Sequence, residues 1–246
     1  GWEPPIFAHL PLLLNPDRTK LSKRQGDVAV EDYLAKGYLP EAIINFVALL
    51  GWNPGTEKET FTLQELVDAF SVERVQKAGA VFDISKLNWM NAHYLKEMSD
   101  KELTTLCMPF IKEKGYDTTD EERIIKIIAA VRTHLNHLSE VTDYIGIFFT
   151  EKVVYETPEA EEITKTETSR KVYEAISAIL SEEAVVGKDN FKSIMKKAQE
   201  QTGIKGKDLF MPVRIALTGA MHGPEMPLIA DVFGKDECIK RINAVK

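Results

Sequence analysis

Apolar side chains recur at helical spacing through most of the chain. Ile124, Ile125, Ile127, Ile128 and Val131 form one broad face, and Tyr173, Ile176, Ile179 and Leu180 form another. Thr62 with Glu65, Ser99 with Glu102, and Thr119 with Glu122 have capping-box spacing ahead of such runs. In that arrangement a hydroxyl and a carboxylate each satisfy an amide of the first turn. Pro40 suits the start of a helix to Leu50, with Gly51 as its stop. Asp189 is placed to cap a helix over 190–202 that Gly203 ends. Pro212 suits another helix start, with Arg214 one turn inside and Thr218-Gly219 at the end; a short helix to Gly234 follows. Residues 6–14 are apolar and continuous, as in a buried strand. Alternating strand patterns with hairpin turns are absent. The pattern predicts a mainly α protein.

Two polar stretches interrupt it. Residues 53–60 hold a Pro-Gly pair, and residues 151–166 are acidic, Thr-rich and contain Pro158. Boundaries are placed near 27, 98 and 160, giving parts 1–27, 28–98, 99–160 and 161–246. A length of 246 residues suits one large domain or two or three small ones. No apolar run approaches a membrane span, and no signal peptide is visible. Cys107 and Cys238 lie far apart without a C-x-x-C pair. They read as packed free thiols in a reducing compartment, with no metal site. The net charge of −7 argues mildly against a nucleic-acid binder without excluding one, because the field depends on where charges sit. Acid gathers at Glu156, Glu159, Glu161 and Glu162, and base at Lys188, Lys192, Lys196, Lys197, Lys205 and Lys207. An acidic protein with a basic face can still bind RNA in a salt-sensitive way.

The chemistry-bearing motif is Lys20-Leu21-Ser22-Lys23-Arg24. Two lysines three apart beside a hydroxyl suit a leaving group that gathers negative charge. Basic five-residue runs are common on solvated turns, so the context decides. Upstream stand His9-Leu10-Pro11 and Asn15-Pro16-Asp17. Further on come Phe82-Asp83 and Lys86-Leu87-Asn88-Trp89-Met90-Asn91-Ala92-His93-Tyr94-Leu95. Near the end stand Lys207-Asp208-Leu209-Phe210-Met211-Pro212-Val213-Arg214, Thr218-Gly219 and His222-Gly223-Pro224-Glu225. These blocks, in this order across nearly the whole chain, resemble the bacterial-type glutamyl-tRNA synthetases, class I enzymes with a Lys-Met-Ser-Lys-Ser type loop.

The resemblance implies a short catalytic remnant over 1–27, a helical stem-contact domain over 28–98, and anticodon-binding helical subdomains over 99–160 and 161–246. A β-barrel anticodon domain, as in glutaminyl-tRNA synthetase, does not fit. The family's His-Ile-Gly-His type signature is absent from these residues, so the resemblance implies a C-terminal fragment that forms no adenylate alone. It implies that Lys23 binds ATP phosphates, that Lys20 and Ser22 shape the loop, and that Arg24 takes the place of the final serine. ATP with Mg, glutamate and glutamate tRNA are the implied partners of the full-length enzyme, which would be a cytoplasmic monomer; none is expected bound here except tRNA.

Other positions carry weaker expectations. His9 and Trp52 read as core, and Trp89, Met90 and Tyr94 as one packed helical face. Lys86, Asn91 and His93 could touch the backbone of the tRNA acceptor-stem region. Arg132, His134 and His137 cluster at a predicted helix end, where cations also suit the macrodipole. Many relatives place there an Arg-x-x-Thr-Leu-x-Glu segment whose arginine reads the last anticodon base. His134-Leu135-Asn136-His137-Leu138-Ser139-Glu140 departs from it, leaving Arg132 and His134 as candidates. Arg214 and Thr218 are candidate anticodon-loop contacts, against the alternative of a tight packing unit. Two rival functions stand beside the main one: an enzyme that also glutamylates glutamine tRNA, and a helical protein-interaction module without RNA.

Overall fold

A computed structural model of the chain describes residues 1–7, 9–22 and 29–246. It divides into two units, residues 1–97 with 136–139, and residues 98–135 with 140–246.

The first unit contains β1 (Leu13–Leu14), α1 (Val30–Ala35), α2 (Pro40–Leu49), α3 (Leu63–Ala69), β2 (Ala80–Val81) and α4 (Ile84–Glu97). Pro40 opens α2, since proline lacks an amide that the first turn leaves unbonded in any case. Ile43 and Phe46 on its inner face join Tyr33, Tyr38, Leu87 and Met90 in one core cluster. Trp52, Phe61 and Leu66 form a second. Thr62 caps α3 and Glu65 returns the bond, as their spacing predicts. Two fully buried asparagines tie loops to these helices. Asn45 accepts from the Phe61 amide and donates to the Glu59 carbonyl, and the Tyr94 hydroxyl lies 2.7 Å from its Oδ1. Asn91 accepts from the Leu39 amide and donates to the Asn136 carbonyl. β1 and β2 pair in parallel, Leu13 opposite Ala80 and Leu14 opposite Val81. A Cβ at Gly79 would lie 2.8 Å from the Leu14 side chain, so glycine lets the strands approach.

The second unit contains α5 (Asp100–Glu113), α6 (Glu121–Val131), α7 (Val141–Tyr144), α8 (Pro158–Thr164), α9 (Glu167–Glu182), α10 (Phe191–Thr202), α11 (Lys207–Thr218) and α12 (Met226–Ala244). The Ser99–Glu102 capping box opens α5. α9 packs against α10, α11 and α12, and α6 packs against α5 and α12. The two apolar faces read from the sequence supply this core: Ile124, Ile127, Ile128 and Val131, and Tyr173, Ile176, Ile179 and Leu180, are all buried, while Ile125 of the first face is only half-buried. Inside it, Arg241 is 2% exposed. Its guanidinium donates to the Glu237 carboxylate and to the carbonyls of Leu217, Ile147 and Thr150, and lies 4.2 Å from the Phe233 ring centroid. Gly219, with φ of +79°, ends α11 where a Cβ would fall 1.9 Å from the Val154 carbonyl oxygen. Cys107 and Cys238 are buried free thiols, as expected, and burial pushes each up to about 12.

Several expectations are corrected. Of the described residues within 6–14 only Leu13–Leu14 form a strand, and His9 is exposed rather than packed. Ile6, Phe7, Leu10 and Leu12 face solvent, because the described chain supplies no layer to cover them. Trp89 is half exposed and stacks on His93, while Met90 on the next position is buried; the helix turns them to different faces. Asp120, not Thr119, caps α6 by accepting from the Arg123 amide. Asn190, not Asp189, stands at the start of α10; its side chain closes the 185–190 loop onto the Gly187 amide and Val185 carbonyl. Pro212 lies inside α11. The acceptor its missing amide would leave unbonded is the carbonyl of Asp208, a solvent-exposed residue, so water can serve it. Gly234 does not end a short helix. It makes one non-helical break, φ 67° and ψ −176°, after which α12 resumes.

Candidate nucleic-acid interface

Two places carry candidate chemistry. In the first unit, the chain reverses after β1 through Asn15-Pro16-Asp17-Arg18-Thr19. The Asn15 amide donates to the Thr19 carbonyl and the Arg18 amide to the Asn15 carbonyl, both at 2.8 Å. Asp17 Oδ1 accepts from the Thr19 hydroxyl and amide, and these bonds hold its carboxyl below the usual range. Arg18 takes a left-handed φ of 66° at the turn. The return segment bridges back to β1: Lys20 pairs with Leu14, and the Leu21 amide donates to the Leu13 carbonyl at 3.0 Å. The hairpin thus fixes the backbone of Lys20 and leaves that residue exposed, with Ser22 half-buried just beyond. Lys23 and Arg24 lie outside the described residues. Among the described residues no group of three or more His, Cys, Asp or Glu side chains is placed to hold a metal ion.

In the second unit, Arg214 stands on α11, half-buried, and donates from Nη1 to the Pro224 carbonyl at 2.9 Å. Burial lowers its pKa, but a guanidinium stays cationic. Together with Phe191, Met195, Phe210 and Met226 it lines an open cavity of about 360 Å³, with Lys192 and Lys196 at its rim. Phe210 is 46% exposed and sits one turn before Arg214, so an aromatic face and a cationic fork lie on one helix side. An apolar slot with an aromatic wall, a partly engaged arginine and rim lysines can take a splayed, unpaired base and its phosphate.

The remaining sequence candidates lie elsewhere. The Thr218 side chain is 6% exposed and works inward: its hydroxyl donates to the Arg214 carbonyl at 2.8 Å and accepts from the Ala220 amide at 3.1 Å. It closes α11 and thereby holds the Pro224 loop near Arg214. Arg132 follows α6 and faces the Asp100 carboxylate at 2.8 Å, at an angle that leaves its Nε and Nη2 without an aligned acceptor. His134, in the same turn, lies tilted on Tyr144 at 5.3 Å. None of these three lines the Arg214 cavity. On α4, Lys86 pairs with Glu59, His93 is engaged with Trp89, and Asn91 is buried, which removes Asn91 as an RNA contact. Sequence reasoning missed Phe191, Phe210 and Met226 as cavity walls. The available signal was the basic neighbourhood around Lys192 and Lys196 together with an aromatic one turn from Arg214.

Comparison with known proteins identifies the families the chain matches. Residues 102–246 match the anticodon binding domain family, and residues 1–89 match the catalytic domain of class I tRNA synthetases (E and Q). The glutamate–tRNA ligase of Clostridioides difficile (strain 630) is 45% identical over 251 residues, covering 100% of this chain and 51% of the relative. That of Alkaliphilus metalliredigens is 41% identical, with the same coverage. Among solved structures, a glutamate tRNA ligase from Elizabethkingia meningosepticum in complex with its amino acid superposes with a TM-score of 0.85 at 29% identity, over 99% of this chain and 52% of that one. The chain thus spans about half the length of the relatives it matches.

Proposed function

The chain belongs to the anticodon-binding domain family, and from that premise we propose that its second unit binds the anticodon arm of glutamate tRNA for a glutamate–tRNA ligase. One observation carries the reading. The Arg214 cavity, walled by Phe191 and Phe210 and rimmed by Lys192 and Lys196, lies within the residues that match the anticodon domain. An unpaired base stacks on the aromatic wall, the guanidinium bonds its edge, and the lysines meet adjacent phosphate. Arg132 and His134 form a second contact region, with Thr218 as the residue that positions the Pro224 loop. Residues 28–98 form a stem-contact domain, and 99–160 and 161–246 are two anticodon-binding subdomains.

The enzyme's chemistry requires ATP, with magnesium carried on its phosphates, and glutamate. Lys20, on the hairpin, and Lys23 and Arg24 beyond it stabilise the pyrophosphate that leaves as glutamate is adenylated, with Ser22 shaping the loop. The enzyme works as a cytoplasmic monomer. Residues 1–246 contain no His-Ile-Gly-His type sequence, so tRNA binding is the activity to be tested on them.

Filter binding of glutamate tRNA at two salt concentrations, beside a transcript with a changed anticodon, tests this. Salt-sensitive binding that the anticodon change abolishes is expected. Arg214→Ala should weaken it roughly 10- to 100-fold, the range of one lost base contact. Equal binding of both transcripts, or an Arg214→Ala variant that binds as wild type, refutes the reading.

A further inference from the structure

α12 serves two neighbourhoods. Its first half, 226–233, buries Met226, Ile229, Ala230 and Val232, and its second, 235–244, buries Cys238, Arg241 and Ile242. At about 100° per residue, nine positions would set Ile229 and Cys238 on opposite sides of an unbroken helix, and the mean directions of the two buried faces lie roughly 150° apart. An unbroken helix would therefore turn one of them to solvent. Gly234 removes the conflict. Its φ of 67° and ψ of −176° fall in a region that essentially only glycine enters, and they re-phase the helix between its halves.

The second half is fastened. Lys235 donates to the carbonyls of Ser181 at 2.9 Å and Glu183 at 2.6 Å, at the end of α9. Ser177 donates to Asn243 at 3.0 Å, and Arg241 ties α12 to α11 and to the 147–150 segment. The first half instead carries Met226 and Pro227 into the lining of the Arg214 cavity. Its opening turn hangs on Glu225, whose carbonyl accepts from the Leu228 and Ile229 amides at 3.0 Å, next to the Pro224 carbonyl that holds Arg214.

We infer that Gly234 is a positioning residue for the Arg214 cavity: its backbone break sets the phase of residues 226–233, so that Met226 and Pro227 stand as cavity wall while residues 235–244 stay fastened to α9. Its consequence for RNA rests on that cavity being the base site proposed above; the positioning itself does not.

Gly234→Ala, in its L and its D form, tests this in the full 246-residue chain. Recombinant residues 1–219, ending in a glycine thioester, are joined to synthetic residues 220–246 through selenocysteine at 220. Deselenisation then gives the native Ala220 and leaves Cys107 and Cys238 intact. An L-Cβ at 234 meets nothing within 4 Å, so the L form acts through the backbone alone, while the D form suits a positive φ. The L form should accelerate amide exchange within 226–233 roughly 5- to 150-fold, the strain of an L residue in that region expressed as an opening equilibrium, and leave 235–244 and α9 unchanged. Glutamate tRNA should bind it at least about fivefold more weakly, the lower end of one lost base contact. The D form should restore both. Unchanged exchange in the L form, equal acceleration in both halves of α12, or a D form that behaves like the L form overturns the inference. So does faster exchange within 226–233 while tRNA binds as to wild type. A wild-type chain that binds no tRNA removes the base-site reading instead, and the exchange comparison still decides the role of Gly234.

Discussion

Replacing Arg241 by methionine isolates the strongest polar element in the second unit. Methionine keeps the unbranched stem and removes the guanidinium. The buried carbonyl of Leu217 and the partly buried carbonyls of Ile147 and Thr150 then lose a donor, and Glu237 keeps only its 3.1 Å contact with Lys240. Removing a charged donor from partly buried acceptors, one of them fully buried, costs about 2–3 kcal/mol, the range of hydrogen bonds to charged groups plus the acceptor left desolvated. The chain supplies two separate reporters. Both cysteines, Cys107 and Cys238, lie in the second unit. Their buried thiols, pushed up to about 12, resist alkylation until that unit opens. All three tryptophans, Trp2, Trp52 and Trp89, lie in the first. Arg241→Met should therefore accelerate thiol labelling by roughly one and a half to two orders of magnitude, the stated cost expressed as an opening equilibrium. The tryptophan-monitored urea transition should stay put. There is also a pH signature. Burial raises the Glu237 pKa, but hydrogen bonds from Arg241 and Lys240 outweigh this and leave it lowered. A lowered carboxyl contributes stability above its unfolded pKa and loses it as pH falls through the folded value. The acid-induced loss in the second unit should be shallower in the variant. A labelling rate within about fivefold of wild type, which is about 1 kcal/mol, would refute the idea that Arg241 staples these segments.

Gly219→Ala should cost about 2–4 kcal/mol, since the residue has a left-handed φ and its new Cβ meets a backbone oxygen; an unchanged melting temperature in the second unit would count against it. Asn45→Leu strips the Phe61 amide and Glu59 carbonyl of their buried partner. It should cost about 2–3 kcal/mol, shift the Trp52 emission and expose residues 53–61 to proteolysis, and an intact loop under limited proteolysis would contradict this.

Much of the fold was legible because helix signals are local. The Thr62 and Ser99 capping boxes, Pro40, and the glycine after α10 each act within one turn, and each stands where the sequence predicts. The misses share a cause: a local sign was overruled by something distant. Pro212 looks like a helix start, yet α11 begins at Lys207, where the left-handed Gly206 already turns the chain. Residues 6–14 look like a core strand, yet being core requires neighbours that these residues cannot specify. The burial of Arg241 gave no sign, because beyond Glu237, one turn away, its carbonyl acceptors lie 24 to 94 positions away in the chain. At the candidate site, the Lys-Leu-Ser-Lys-Arg run and Arg214 could be picked out as charged groups in a motif. The aromatic walls could not, since Phe191 and Phe210 come from two helices that only packing brings together.

The same distinction between local and global bears on charge. A net charge of −7 is unfavourable to RNA as a total, but net charge is a sum and binding responds to the local field. The acidic stretch before and within α8 and α9 is partly self-neutralised: Lys165 meets Glu161 and Glu162, and Lys171 meets Glu167. These are exposed pairs of small energetic worth, yet each compensates a carboxylate that would otherwise repel phosphate. Around Arg214 the balance is reversed, with one guanidinium and two lysines against a single carboxylate, Glu225, among the lining residues. Screening at physiological salt acts over about 8 Å, so a phosphate seated there senses the cationic rim far more than distant acid. Binding confined to that rim involves few phosphates. Its salt slope should accordingly be modest, about −1.5 to −2 on the roughly −0.7 per contact of a single strand, unlike the steep slope of a protein coated in positive charge.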